Sequence, residues 1–318
     1  MVKPLFSFKS PGDLKENDVY NIIDKILKNP SEYTEINRIF AEKAMLLSES
    51  RVRIKNKNLY GLSKYISNNY AIFRDFICEL RTQLIHKKEF EIKLDDCNDV
   101  KIFMILSLLN DFKLLGMIGE IDFNNESFTV NGKFKNNTVF PLYINGEFFE
   151  DFAYCEAKSV LDELSRKYGV DYELYRNVYV HIPIGNKVVQ TREVDLLIRF
   201  GDKVYLAEVK SGCRYKIRNF YTIGMRLGIE PFSSIVLVSR LSEQNNSINE
   251  NKYRLYVADS FCFAKKFNEM IKSRFLADKC DPIPICDPGL IQSLKEKIKK
   301  RNQAESENQI QHLAVNMQ

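Results

Sequence analysis

Asp195, Glu208 and Lys210 stand in two segments, "EVDLLIRF" and "VYLAEVKS", that otherwise read as buried β-strand. Side chains alternate along a strand, so Glu208 and Lys210 share a face. A two-residue turn at Gly201-Asp202 pairs Phe200 with Lys203. Carried back along both strands, that register sets Asp195 opposite Glu208, with Cβ atoms about 4.5 to 5.5 Å apart. Like charges so placed destabilise a sheet by roughly 0.2 to 1 kcal/mol where exposed, and by more where water is excluded. A hard cation between them removes the penalty. Magnesium takes one or two carboxylates together with water and phosphate oxygens, and a lysine beside it can orient or activate a water and stabilise charge that develops on a phosphate. The same register sets Glu193 opposite Lys210, an ordinary cross-strand ion pair that competes for the lysine. A solvated sheet face of mixed charge is the alternative for the whole group.

The elements that must position these residues follow from hydrophobic periodicity. A helix from about Gly146 to Lys167 precedes three β segments, "NVYVHIPI", "EVDLLIRF" and "VYLAEVKS", with turns at Gly185-Asn186 and Gly201-Asp202. A helix from about Tyr215 to Leu227 leads to "SIVLVSR", a continuous apolar run of the kind found in buried parallel strands, and "RLYVADS" adds another strand. The expected fold class is α/β, a mixed sheet in the order α-β-β-β-α-β with helices on its faces.

The first 90 residues read as helical. Val19, Ile22, Ile23, Ile26 and Leu27 follow the 3.6-residue period, and Asn29-Pro30 ends that helix. A strongly apolar helix from Asp99 to Leu115 reaches a C-cap at Gly116. Two strands, "IGEIDF" and "SFTVNGKF", follow and are expected to join at Asn124-Asn125. Helices and then a hairpin are the layout of a winged helix and equally of a packing or dimerisation module, which the apolar "IFMILSLL" favours. The expected domains are residues 1–140, helical and ending in the hairpin; residues 141–288, carrying the charged strands; and a tail, residues 289–318, basic and helical and then disordered.

Composition narrows the class. A chain of 318 residues with 45% hydrophobic and 28% charged residues fits a globular protein, and no run approaches the roughly 18 apolar residues of a membrane span. With no signal-peptide pattern at the N-terminus, the expectation is a cytoplasmic protein. The seven cysteines lack CxxC spacing and the three histidines lack ligand spacing, which argues against disulfide frameworks, zinc sites and histidine triads. No nucleotide-binding glycine loop is present. Net charge is +5, but Lys210, Arg214, Lys216, Arg218 and Arg226 fall in a stretch without acids. A second basic cluster, "RVRIKNK", runs from Arg51 to Lys57. Such stripes suit a phosphate backbone or a solvated helix face.

"EVDLLI" followed by "YLAEVKSG" resembles the core motif of the PD-(D/E)XK nuclease superfamily, whose shared restriction-endonuclease-like fold is the same α-β-β-β-α-β unit. The resemblance implies that Asp195 and Glu208 bind Mg²⁺ or Mn²⁺, joined by the Val209 carbonyl, and that Lys210 serves the attacking water. Val194 stands where the superfamily name has proline. "YINGEFFEDFAY" resembles the helix segment that supplies a further acid in many members, which points to Glu150, with Glu147 and Asp151 as rivals. Residues 100–240 are similar to the nuclease half of CRISPR-associated ancillary nucleases that carry a CARF sensor domain, although the first 90 residues show no sensor pattern. The expected protein is a metal-dependent endonuclease acting on DNA in preference to RNA, paired as a homodimer, gripping the backbone through Arg214, Lys216, Arg218 and Arg226, and serving antiviral defence. The alternative is a nucleic-acid-binding or assembly protein that keeps the fold without catalysis.

Overall fold

The computed structural model describes residues 5–8, 14–49, 59–86, 88–136, 139–185, 189–210, 223–224, 226, 234–238, 256–258 and 260–277. Residues up to Ile271 belong to one compact unit. The described helices are α1 (Glu16–Lys28), α2 (Glu35–Glu42), α3 (Leu59–Asn68), α4 (Tyr70–His86), α5 (Asp99–Leu114), α6 (Val139–Leu142), α7 (Phe148–Tyr168) and α8 (Phe263–Ala277). The described strands are β1 (Leu46–Glu49), β2 (Glu89–Lys93), β3 (Ile118–Asn124), β4 (Thr129–Phe134), β5 (Tyr172–Pro183), β6 (Val189–Phe200), β7 (Lys203–Lys210), β8 (Ser234–Val238) and β9 (Tyr256–Ala258).

Six strands form one mixed sheet in the order β1-β5-β6-β7-β8-β9. The pairs from β1 to β7 are antiparallel and the pairs β7–β8 and β8–β9 are parallel. This is the mixed α/β architecture read from the sequence, with α7 preceding three consecutive strands. Val194, Leu196, Leu197 and Ile198 are fully buried, so the middle of β6 is covered on both faces. A second sheet of three strands, β2-β4-β3, accompanies the N-terminal helices.

α7 is amphipathic. Phe148, Phe149, Phe152, Ala153, Ala157, Val160, Leu161 and Leu164 are buried at helical spacing, and each large apolar side chain so buried contributes roughly 1.5–3 kcal/mol. The helix packs across β5, β6 and β7 and ends at Gly169, whose φ of 64° supplies the left-handed cap. At its other end the chain enters through a wide π-turn, Tyr143–Glu147, with Gly146 at φ 148°. Arg81 on α4 donates to the Ile144 carbonyl at 2.7 Å, and the buried Ser63 and Tyr143 hydroxyls lie 2.9 Å apart. The N-terminal helices thereby fix where α7 begins.

Two local expectations are corrected. The first 90 residues are mainly helical but contain β1 and the start of β2. β1 pairs antiparallel with β5, Leu46 opposite His181, so this part of the chain belongs to the large sheet. The hairpin β3–β4 closes at Asn124 opposite Thr129, a four-residue connection in which Phe128 takes φ 47°, in place of a tight turn at Asn124-Asn125. α5 is buried along Ile102, Ile105, Leu108, Leu109 and Phe112, but Phe103 and Leu114 on it are exposed. The expected C-cap holds: Gly116 takes φ 70° and donates to the Lys113 carbonyl.

Candidate functional site

β6 and β7 pair in the register that the Gly201-Asp202 turn dictates, Phe200 opposite Lys203 through Leu196 opposite Ala207. Gly201 supplies the positive φ, 62°. One residue beyond the last pair stand Asp195 and Glu208. Their side chains meet at Lys210, whose Nζ donates to Asp195 Oδ2 at 3.0 Å and pairs with Glu208 Oε1 at 2.8 Å. The Val209 backbone N–H donates to the same Asp195 oxygen at 2.7 Å. Asp195 is 6% exposed and the Glu208 side chain 14%, while that of Lys210 is 32% exposed, so the junction is enclosed at its acids and open at its ammonium. It is not a solvated charge pattern. Of the two arrangements open to Lys210, the structure shows the one with Asp195 and Glu208 as its ion-pair partners.

α7 and β5 supply the next layer. Glu150, on the first turn of α7, accepts a hydrogen bond from Asn177 Nδ2 at 2.9 Å. Its neighbour Asp151 is ion-paired with Arg176, and both of those side chains are largely buried. Arg176 and Asn177 are consecutive residues of β5, and strict alternation would send them to opposite faces. The alternation is broken. Tyr175 and Val178 pack on one apolar cluster although they are three residues apart, and so do Val194 and Leu197 on β6. Asn177 takes φ 52°, and it is absent from the β5–β6 pairing, which runs Arg176 opposite Leu196 and then Val178 opposite Val194. The position facing Asn177 is Asp195.

The electrostatics are those of a crowded acid cluster. Desolvation first, and then the charge of Asp195, push the Glu150 carboxyl up to about 7, against the opposing pull of the Asn177 hydrogen bond and Arg176. Desolvation and Asp195 likewise push Glu208 up to about 7, and Lys210 only partly offsets them. Glu193 is raised by the same two causes in the same order, and Glu147, buried in the π-turn, adds to the repulsion on Glu150 and Glu193. Desolvation lowers Lys210, but the charges of Asp195 and Glu208 and their hydrogen bonds outweigh it and hold the ammonium above its ordinary range. Lys210 is therefore held as a charged donor between the two acids.

Among the described residues, no three His, Cys, Asp or Glu side chains converge as a group that could hold a metal ion. The oxygens around Lys210 still fit a hard cation in kind. Asp195 and Glu208 already share one positive charge, burial and the charge of Asp195 push Glu150 and Glu208 up to about 7, and the buried Asn177 Oδ1 has no hydrogen-bond partner among the described residues. Two carboxylates completed by water and substrate oxygens are a normal magnesium set.

Lys210 is in direct contact with both Asp195 and Glu208; Glu150 feels the charge of Asp195; and Asp151 is committed to Arg176. Val209 joins through its N–H. Arg226 is exposed, near Ile223 in the core. Arg214, Lys216 and Arg218, the basic cluster at residues 51–57, most of the expected helix at 215–227 and the tail at 289–318 lie outside the described residues. Asn177 was not anticipated from the sequence, and the single signal for it is that asparagine tolerates the left-handed region better than other L-residues.

No family model matches the chain, and no curated protein matches it. Among solved structures the chain is similar to protein VC1899 from Vibrio cholerae, with a TM-score of 0.55 and 15% identity, over 76% of this chain and 61% of that one. It is also similar to Can2 from Sulfobacillus thermosulfidooxidans, solved in complex with cyclic tetra-adenylate, with a TM-score of 0.51 and 11% identity, over 80% of each chain. The chain thus spans about three fifths of the length of the Vibrio protein. At these identities the likeness is one of fold, and it reaches beyond the strands that carry the acid cluster.

Proposed function

We propose that this protein is a nuclease of the PD-(D/E)XK type that hydrolyses phosphodiester bonds with the help of Mg²⁺ or Mn²⁺, with DNA preferred over RNA. The observation that carries the reading is Lys210 Nζ held between Asp195 and Glu208 where β6 and β7 part. The fold likeness to Can2, whose structure holds an oligonucleotide-like ligand, supports it. When bound, a divalent ion supplies Lewis acidity toward a phosphoryl oxygen and lowers the pKa of a water. Asp195 and Glu208 offer oxygens for such an ion, with the Val209 carbonyl and Glu150 nearest to extend the set. Lys210, kept protonated, orients the attacking water and stabilises negative charge on the phosphate. Arg226, with Arg214, Lys216 and Arg218, holds the backbone of the nucleic acid. The N-terminal region positions substrate or pairs two copies into a homodimer, the arrangement that cutting both strands favours. Defence against foreign nucleic acid in the cytoplasm is the setting this reading suits; no described helix is long and apolar enough to cross a membrane.

The test incubates the protein with Mg²⁺ or Mn²⁺ and plasmid, single-stranded DNA or RNA, with and without cyclic tetra-adenylate, beside Lys210→Ala and Glu208→Ala. Metal-dependent cleavage that both substitutions abolish is the expected result. Cleavage that survives both overturns the site assignment. Binding of nucleic acid without cleavage in any arm leaves the non-catalytic reading.

A further inference from the structure

We propose that the Asn177 side-chain oxygen is a ligand of the divalent cation, the contribution of a third strand to the site; this rests on the metal-dependent reading above. Four observations converge on it. Asn177 sits on β5 opposite Asp195, at the one gap in an otherwise continuous run of pairing from Tyr172 to Pro183. It is held at φ 52° inside a strand, a conformation that L-residues keep only when their surroundings over-determine it. Its Nδ2 is fixed on Glu150 Oε2 at 2.9 Å. That bond also fixes which end of the amide is which, because the flipped amide would set oxygen against carboxylate.

The remaining end is Oδ1. It is buried in a residue only 7% exposed, and it has no hydrogen-bond partner among the described residues. Buried acceptors are rarely left so. Its established neighbours are also acceptors: Glu150, which holds its Nδ2, and Asp195 at the facing position across the gap in the ladder. Ionised carboxylates cannot satisfy a carbonyl oxygen. A cation can satisfy all three at once, and amide carbonyls are regular ligands of hard divalent ions.

The experiment measures Mn²⁺ affinity by calorimetry on the full chain, with no substrate and no turnover. Asn177→Gly is the informative variant, because glycine accepts a positive φ without strain while deleting the amide. Affinity for Mn²⁺ is expected to fall by about tenfold or more, with the unfolding midpoint in the absence of metal kept. Asp195→Ala is the control for the site itself. If Asp195→Ala loses Mn²⁺ and Asn177→Gly binds it as the parent does, the ligand role of Asn177 is overturned and the carboxylate site stands. If Asp195→Ala binds Mn²⁺ unchanged, the metal-dependent reading falls and this inference with it. A Glu150→Ala background separates ligation from mere positioning of Glu150. There Asn177→Gly is expected to weaken Mn²⁺ binding further. No further loss shows that Asn177 acts only through Glu150, and it overturns the proposal.

Discussion

Lys210 Nζ and Glu208 Oε1 lie 2.8 Å apart, two residues along the same strand, and the ammonium reaches Asp195 on the neighbouring strand as well. In the proposed site, a lysine in this place would compete with a cation for the carboxylates while assisting the chemistry that the cation permits. The two roles separate on substitution. Lys210→Ala is expected to lower the cleavage rate by about 10²- to 10³-fold, as loss of a charge-stabilising donor does elsewhere, while Mn²⁺ affinity is kept or improved. Single-turnover kinetics and calorimetry on the same preparation check both halves.

Glu208→Gln keeps the shape of the side chain and removes one of the repelling charges. The metal-free variant is expected to be more stable than the parent at pH 8 by about 1 to 3 kcal/mol, the scale set by a carboxyl displaced from 4.5 to about 7. The stabilisation that Mn²⁺ confers should disappear at the same time. Urea unfolding with and without Mn²⁺ reads both effects. A parent that is already as stable as the variant would show that the repulsion is relieved in some other way.

Asp151 and Arg176 offer the contrast. Both side chains are largely buried and ion-paired, so Arg176→Met leaves a carboxylate enclosed without its partner. Such losses cost about 3 to 5 kcal/mol. Glu150→Gln, one residue away, should cost little, because it removes a charge that the site already resists. Equal destabilisation by the two variants would contradict the division of labour between neighbouring acids of α7.

The pH dependence has two opposed parts. Burial and the charge of Asp195 push Glu150 and Glu208 up to about 7 from an ordinary 4.5. Across that window the native state holds more protons than the unfolded chain, so their contribution to stability falls as pH rises. His181 behaves in the opposite sense. It is buried between the Ser48 and Thr191 hydroxyls, and desolvation takes it from 6.5 down to about 4. Its contribution is complete above 6.5 and is lost as pH falls toward 4, at most roughly 3 kcal/mol. In His181→Gln without metal, stability should decline steadily from pH 4.5 to 8. In the parent, His181 offsets the decline only in part up to about 6.5, since two carboxyls oppose one imidazole. Mn²⁺ should restore stability at the alkaline end. Unfolding midpoints across that range check the sign of each part.

The facing of Asp195 and Glu208 was legible in the sequence because a glycine turn of fixed length sets the register that carries two distant acids together; that Lys210 pairs with both acids was not. Element order was legible for a similar reason: the apolar runs "VDLLI" and "IVLV" are long enough to declare themselves. The choice among Glu147, Glu150 and Asp151 was not legible. It depends on Arg176 capturing Asp151, and that in turn depends on a break in strand alternation that only the folded neighbourhood sustains. β1 and β2 escaped notice because "LLSE" and "EFEIK" are too short for a period of two to stand out. The four-residue connection after Asn124 was hidden by its residue types, since Phe128 at positive φ is an unfavourable choice for a turn.

The pairing of Leu46–Glu49 with β5 also gives the large sheet its boundary. β5 would otherwise present a row of open backbone donors and acceptors along Val178 to His181, and an open edge of that kind recruits other strands. Residues that lie more than a hundred positions before the acid cluster thus replace a long open edge with a four-residue one, which Phe6 bridges at Ser48. A shortened chain that begins after residue 140 would keep Asp195, Glu208 and Lys210 and lose that protection, and its self-association would be a property of the cut.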